Sequence, residues 1–156
     1  MAENLNFDTK SDGSVCYGND KTNETNCTTY GRLYDWETAT TACPGGWHLP
    51  SDAEWTTLAT YVGGNSTAGT KLKATSGWDN NGNGTDDYGF SALPGGYGYS
   101  SGNFYNVDKY GTWWSATEAT NASNAYYRRM QDSNGSMDRV NYGKVEGLFS
   151  VRCLKN

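Results

Sequence analysis

Residues 79–87 carry an oxygen-bearing side chain at almost every position. Oxygen ligands at alternate positions, with glycine for a sharp turn, are typical of a calcium-binding loop. The candidate ligands are Asp79, Asn81, Asn83, the Thr85 carbonyl and Asp87. Phe90 stands where an EF-hand has its bidentate carboxylate, so a true EF-hand is excluded. The stretch predicts either a weaker calcium loop or a plain Asn/Gly turn, and calcium is the only cofactor we expect.

Aromatic residues are abundant, and ten of them in the second half of the chain could form a binding surface. Tyr and Trp combine flat apolar area with a polar group, which suits stacking on sugar rings or anchoring a protein partner. Trp113 and Trp114 face opposite ways if they share a strand, and we choose Trp114 as the exposed one. Arg128 would supply a hydrogen-bonding fork beside the rings. The predicted ligand-binding residues are Tyr97, Tyr99, Tyr105, Trp114, Tyr126, Arg128 and Tyr142.

Catalytic patterns are weak. Residues 98–102 match G-x-S-x-G, but a nucleophile elbow needs a downstream acid and then a histidine, and the one histidine, His48, lies upstream. We expect His48 to be a hydrogen-bonded turn residue. A glycosidase needs two placed carboxylates; Glu54 is used as a helix cap, which leaves Glu118. The sequence therefore predicts no catalytic residue, and an enzyme is the third hypothesis.

Composition limits the classes of partner. The chain has 156 residues, a formal net charge of -5 and a sequence pI near 4.7. This charge disfavours nucleic acid and repels an anionic membrane. Apolar runs are too short to span a bilayer. Six Trp, twelve Tyr and four Phe are too much apolar area to leave solvated, so a packed core is expected despite a mean hydropathy of -0.80.

Four cysteines are present: Cys16, Cys27, Cys43 and Cys153. The even number, the absence of CxxC and the single histidine favour two disulfides over a zinc site or free buried thiols. Disulfides indicate an oxidising compartment, so we expect an extracellular or cell-surface protein. Four cysteines allow three connectivities.

Two helices are predicted early in the chain. Asp35 can cap a helix beginning at Trp36 and ended by the Pro-Gly-Gly at 44–46. Ser51 and Glu54 form a capping box for a second helix, which the glycines at 63–64 end. A short helical piece is predicted around 68–74.

Short strands are predicted over 90–93, 112–115, 125–130, 137–142 and 148–154. Helices first and antiparallel strands afterwards indicate an α+β fold. Residues 1–13 read as a polar tail or a weak first strand, and 14–156 as one domain.

Several segments, in order, resemble the Fibrobacter succinogenes major paralogous domain family. They cover roughly 14–155 and are YGRLYDW at 30–36, CPGGWHLPSDAEW at 43–55, GTKLK at 69–73, GTDDYGFSALPGG at 84–96, WWSATE at 113–118 and SVRC at 150–153. The family is similar to the C-type lectin-like fold, in the branch of formylglycine-generating enzymes and bacterial variable ligand-binding proteins.

The resemblance implies two helices flanking a twisted antiparallel sheet, long ligand-binding loops and secretion or surface display. It implies a Cys43–Cys153 bridge, which leaves Cys16–Cys27 as a local pair, a pairing that also follows from sequence proximity. The motifs that bind sugar through calcium in classical lectins are absent, and so is the C-terminal cysteine pair of the formylglycine-generating enzymes.

Two binding functions remain open. The first is a carbohydrate-binding or adhesion module, and the second is a protein-binding display domain with variable loop residues. Either would be a monomeric module of a larger protein, without organic cofactor, nucleic acid or membrane insertion.

Overall fold

The structure is a computed structural model that describes residues 3–9, 13–18 and 24–156. The described part is a mixed α+β fold with a mostly antiparallel sheet. Its helices are α1 Glu24–Tyr30, α2 Trp36–Thr41, α3 Asp52–Tyr61 and α4 Asn65–Leu72. Its strands are β1 Ser14–Val15, β2 Leu33–Tyr34, β3 Trp47–His48, β4 Tyr97–Tyr99, β5 Phe104–Tyr105, β6 Tyr110–Glu118, β7 Asn124–Gln131, β8 Met137–Gly143, β9 Gly147–Ser150 and β10 Leu154–Lys155.

The predicted helix starts are confirmed. The Asp35 carboxylate accepts a hydrogen bond from the Thr38 amide at 2.7 Å and caps α2. Ser51 and Glu54 form a full capping box at the start of α3. The helical piece predicted around 68–74 is α4, which begins earlier because Gly64, at φ 98°, turns the chain into it. Side chains that satisfy the first amides of a helix therefore fix where α2 and α3 begin.

The large sheet runs in the order β1-β2-β9-β6-β7-β8, and β4 pairs with β9 and β5. Its pairs are antiparallel except for β6 with β9, which meet in parallel at Trp113 and Ser150. A second, two-stranded sheet joins β10 to β3. This order places the long β6-β7-β8 meander beside β9. Strand β4 lies close to both β9 and β6, because Gly96 bridges Gly111 of β6.

Two predicted strands are corrected. Residues 90–93 form only an isolated bridge at Ala92, because Ser91 has φ 50° and its amide and hydroxyl are held by the Asp86 carboxylate. The strand predicted over 148–154 is two strands, β9 and β10, because the chain leaves the large sheet after Ser150 and enters the small one at Leu154.

Helix α1 is not predicted from the sequence. The stretch from Cys16 to Cys27 is polar and is interpreted as a loop. Its sequence, ETNCTTY, has no apolar periodicity and is rich in threonine, a modest helix former. Residues 19–23 of that loop lie outside the described residues. Propensity alone therefore gave no helix signal.

Apolar side chains form two cores, one on each face of β6. Trp114, Phe149 and Val151 pack with α2 in one core. Trp113 packs with α3 and α4 in the other, together with Trp55. Trp36 and Trp55 therefore pack on opposite faces of the sheet, because α2 covers one face and α3 the other.

Both predicted disulfides are confirmed: Cys16 pairs with Cys27 and Cys43 with Cys153. The second links the loop after α2 to the segment between β9 and β10, and its sequence separation is 110 residues. Two disulfides fit an extracellular protein. Across the described ranges, no helix is long and apolar enough to cross a membrane.

The N-terminal segment 3–9 packs onto the domain. Leu5 is buried, its amide donates to the Val151 carbonyl at 2.8 Å, and its carbonyl accepts from the Arg32 amide at 3.0 Å. Residues 3–9 are therefore held against the domain, although they form no strand.

Candidate functional site

Pairs of residues two positions apart on three strands point to one face of the large sheet. In a strand, residues i and i+2 share a face. Strand β4 contributes Tyr97 and Tyr99. Gly98, which lies between them, is paired with Phe104 of β5 and Leu148 of β9. Strand β6 contributes Tyr110 and Thr112, and β7 contributes Tyr127 and Arg129. The meander places these residues side by side, because Thr112 is paired with Arg129 and Tyr110 with Gln131.

These side chains line an open cavity of about 140 Å³, which we call the tyrosine bowl. Its lining is Tyr97, Tyr99, Tyr110, Thr112, Tyr127, Arg129, Tyr142 and Phe149. Tyr127, Phe149 and Thr112 are buried and form its floor, whereas the other tyrosines and Arg129 are partly exposed and form its walls. Pockets that enclose drug-sized ligands measure about 300–1,000 Å³, so this bowl fits a single ring or side chain.

The bowl tyrosines hold one another in place. The Tyr99 and Tyr142 rings are stacked with centroids 5.5 Å apart, and Tyr97 meets Tyr99 edge-on at 5.6 Å. Below them, the Phe149 ring lies 4.5 Å from Tyr127 and 4.3 Å from Trp114. Aromatic pairs in such geometries add stability beyond their buried area. The bowl is therefore built on a packed aromatic core and not on a free loop.

Burial keeps the Tyr99 and Tyr127 phenols of the bowl protonated. Burial, followed by a hydrogen bond with Tyr142, raises the pKa of the Tyr99 hydroxyl. Burial also raises the pKa of the Tyr127 hydroxyl. A neutral phenol both donates and accepts a hydrogen bond, which is the chemistry that recognises another hydroxyl group.

An ion pair stands at the wall of the bowl. Arg129 Nη2 donates to Asp138 Oδ2 at 3.0 Å, and the same carboxylate accepts from Gln131 Nε2 at 3.1 Å and from the Ser136 hydroxyl at 2.9 Å. Burial alone would raise the pKa of the Asp138 carboxyl, but these bonds outweigh it and lower that pKa. The guanidinium lies 5.6 Å from the Tyr110 ring centroid.

The ion pair fixes the Arg129 guanidinium. Burial lowers the pKa of the guanidinium, but the bond to Asp138 more than offsets this and the pKa is raised overall. Its Nε is buried and, among the described residues, has no acceptor. Because that atom is buried, the cavity does not present it to a ligand.

Four predicted ligand-binding residues lie at or near the bowl. Tyr97, Tyr99 and Tyr142 line it. Tyr105 stands beside it, 44% exposed, with its ring 5.7 Å from those of both Tyr97 and Tyr99. The predicted loop around 97–105 is the β4–β5 hairpin, so these residues are held by strand pairing.

Three predicted ligand-binding residues lie elsewhere, and two are corrected because they are buried. Trp114 is fully buried, and its indole N–H donates to the Tyr34 carbonyl at 2.7 Å. Trp113, the alternative, is fully buried as well. Arg128 is 2% exposed and faces α3, where it contacts Asp52 at 2.9 Å.

Tyr126 shares the face of Arg128 and lies under the Arg139 guanidinium at 3.6 Å. It therefore points away from the tyrosine bowl. The arginine beside stacked rings is Arg129, one position further along β7 than predicted. The sequence analysis also did not include Tyr110 and Tyr127 among the predicted ligand-binding residues. Their i, i+2 spacing to Thr112 and Arg129 indicates that each pair shares a strand face.

The candidate calcium loop is exposed but anchored by backbone hydrogen bonds. The amides of Gly84, Thr85 and Asp87 donate to the Ala74, Thr70 and Lys71 carbonyls at 2.8–2.9 Å, along the end of α4. Such donors satisfy carbonyls that a helix C-terminus leaves open.

The Asn83 side-chain oxygen, one of the five proposed ligands, already accepts from the Trp78 amide at 3.0 Å. The Thr85 hydroxyl donates to the Thr70 carbonyl at 3.2 Å, and the proposed ligand atom, the Thr85 carbonyl, takes no part in that bond. Within the part of the chain that is described, no group of three or more His, Cys, Asp or Glu side chains is placed to hold a metal ion. Calcium in this loop stays a prediction that rests on Asp79, Asn81, Asp87 and backbone oxygens.

A buried lysine lies behind the loop. Lys73 is 2% exposed, and its ammonium donates to the Gln131 and Asn134 carbonyls at 2.9 and 3.0 Å. The same ammonium lies 5.0 Å from the Trp78 ring centroid. Burial lowers its pKa. Lys73 thus joins the loop to the β7–β8 turn, a tie that the sequence did not indicate.

The weak catalytic pattern lies in a hairpin. Ser100 occupies the exposed turn between β4 and β5, so a strand and not a helix follows it. His48 lies on β3, where its ring contacts Asn156 and Glu54 at 2.6 and 3.0 Å. His48 is thus hydrogen-bonded as predicted, although it is on a strand and partly exposed.

Comparison with known proteins gives one match. The family described as Fibrobacter succinogenes major domain matches residues 1–155. No curated protein and no solved structure matches the chain. The match extends over nearly the whole chain, including every strand that lines the bowl. The chain belongs to the Fibrobacter succinogenes major domain family.

Proposed function

We propose that this chain is a secreted or surface-displayed module, without catalytic activity, that binds carbohydrate in the tyrosine bowl and thereby serves adhesion. The observation that carries the proposal is the group of partly exposed tyrosine rings, each with a hydroxyl, around one cavity of single-ring size. Aromatic faces suit the apolar C–H face of a sugar, and phenol and guanidinium groups suit its hydroxyls. Burial of the floor gives these groups a fixed geometry before binding, which lowers the entropic cost of association.

We also propose that the fold is C-type lectin-like. A C-type lectin-like arrangement is supported by helices on both faces of the sheet and by the bridge between Cys43 and Cys153. It is also supported by the way in which the chain ends meet, since the N-terminal segment bonds to Val151. A net charge of -5 argues against nucleic acid as the partner. We propose a monomeric module without an organic cofactor.

A glycan array probed with the wild-type protein and with Tyr142→Ala tests the proposal. Tyr142 stacks on Tyr99 and belongs to the bowl wall, so its removal should weaken glycan binding at least about tenfold, or about 1.4 kcal/mol. Tyr61→Ala is the matched control, because Tyr61 is 75% exposed on α3 and outside the bowl.

Binding of wild type and of Tyr61→Ala, with loss in Tyr142→Ala, supports the proposal. Equal binding by all three proteins overturns the bowl as the site. An array without signal overturns carbohydrate as the ligand and favours the second hypothesis, a protein-binding display domain.

A further inference from the structure

The charge balance of the tyrosine bowl limits the chemical class of ligand that it can accept. Of the eight side chains that line it, Arg129 is the one that carries a charge at neutral pH, because Tyr, Thr and Phe side chains are uncharged there. That charge is matched by Asp138, 3.0 Å away. The bowl as a whole therefore presents no net charge to an incoming ring.

Asp138 is not available to hold a cationic ligand. One of its oxygens accepts from both Arg129 and Gln131, and the other accepts from the Ser136 hydroxyl. An anionic ligand is also disfavoured, since it would approach Arg129 beside a carboxylate that already occupies the guanidinium. An anion would share the guanidinium with Asp138 and be repelled by that carboxylate, whereas a neutral group leaves the pair intact.

The groups that remain for a ligand are hydrogen-bonding but uncharged. They are the phenol hydroxyls of the walls. Resting on the proposed function, we infer that the bowl takes one neutral pyranose ring, at a chain end or branch, and rejects uronic acids through the Arg129–Asp138 pair. Asp138 is then a specificity-determining residue that acts through Arg129.

Calorimetric titration with methyl glycosides of neutral hexoses and with glucuronate and galacturonate tests this inference at about 0.15 M salt. The wild-type protein should bind at least one neutral glycoside at least tenfold more tightly than either uronate. Asp138→Asn leaves the Arg129 cation unpaired, so uronate affinity should rise at least tenfold and fall again with added salt. The ratio of uronate affinity to neutral-glycoside affinity should therefore rise at least tenfold.

Glu118→Gln is the matched control, because it makes the same change in net charge at the Lys144 pair, at the far end of β6 from the bowl. It should leave every affinity unchanged. Melting temperature checks that Asp138→Asn is folded, and Asp138→Ser creates the same unpaired cation if the asparagine variant folds poorly.

The outcomes distinguish the proposed carbohydrate binding from the inferred preference for neutral sugars. Uronates bound as tightly as neutral glycosides by the wild type, or no gain in Asp138→Asn and Asp138→Ser, would overturn the inference while carbohydrate binding stands. No binding of any sugar would overturn both. A neutral preference that Asp138→Asn converts into uronate binding, with Glu118→Gln unaffected, supports both.

Discussion

Trp113 and Trp114 are adjacent on β6, and both are fully buried, on opposite faces of the sheet. The Trp113 indole N–H donates to the Asn4 side-chain oxygen at 2.9 Å, and that of Trp114 donates to the Tyr34 carbonyl at 2.7 Å. Gly111 makes room for the Trp113 ring, because a Cβ there would lie 2.2 Å from its Cη2 atom. Each indole is thus the centre of a separate core, with its polar group satisfied.

Trp114→Ala should lower the free energy of unfolding by about 3–5 kcal/mol, because it opens a cavity beneath Phe149 and the bowl floor. Urea denaturation measures the loss. Tyr61→Ala, at an exposed site, should stay within about 0.5 kcal/mol of wild type. A melting temperature of Trp114→Ala close to that of wild type would contradict the buried position of this indole.

Asp52→Asn should destabilise the protein far more than Arg139→Gln. Both changes break the ion pair between Asp52 and Arg139, but only Asp52→Asn also breaks the pair with Arg128. Asp52 contacts Arg128, whose side chain is 2% exposed, and Arg139, whose side chain is 44% exposed. Leaving a buried guanidinium without its carboxylate costs about 3–5 kcal/mol, whereas an exposed pair contributes about 0–1 kcal/mol. Equal losses in urea denaturation would show that Arg128 does not depend on this carboxylate.

The two disulfides should contribute unequally. In the loop-entropy description, the Cys16–Cys27 bridge is worth about 3 kcal/mol and the Cys43–Cys153 bridge about 5 kcal/mol, because the second closes a far longer loop. Paired serine substitutions, one bridge at a time, measure both by chemical denaturation. A larger loss from the short bridge would point to structure in the unfolded chain that the entropy description omits.

His48 should make stability depend on pH near neutrality. Hydrogen bonds with Asn156 and then Glu54 raise the pKa of its ring above 6.5, since the protonated ring donates to both oxygens. A pKa raised by folding gives a contribution that is full below about pH 6.5 and is lost as pH rises through the folded pKa. The stability difference between wild type and His48→Gln should therefore be largest at low pH and shrink only as the pH rises above about 6.5; a difference that stays constant as the pH rises would rule out this linkage.

Calcium tests the loop at 79–87. If the loop binds calcium, the melting temperature is several degrees higher with calcium than with chelator, by mass action. Asp79→Asn and Asp87→Asn should reduce that rise, because they remove the exposed carboxylates of the proposed ligand set. Identical curves with and without calcium would make residues 79–87 a turn held by the α4 carbonyls and Lys73.

Local signals in the sequence determined much of the framework. The caps at Asp35 and Ser51 fix helix starts because their side chains bond to amides only three residues away. The strands predicted over 112–115, 125–130 and 137–142 lie within β6, β7 and β8. These features depend on near neighbours, so they can be read along the chain.

Only the tertiary structure decided which residues form the bowl. In a strand a shift of one position exchanges the two faces, so Arg128 and Arg129 are equivalent in the sequence until it is known what covers each face. Because α2 lies on one face of β6 and α3 with α4 on the other, neither Trp113 nor Trp114 is left exposed. The bowl also depends on the pairing of β4 with β9. These strands are far apart in the sequence, so no local sequence pattern indicates that they pair.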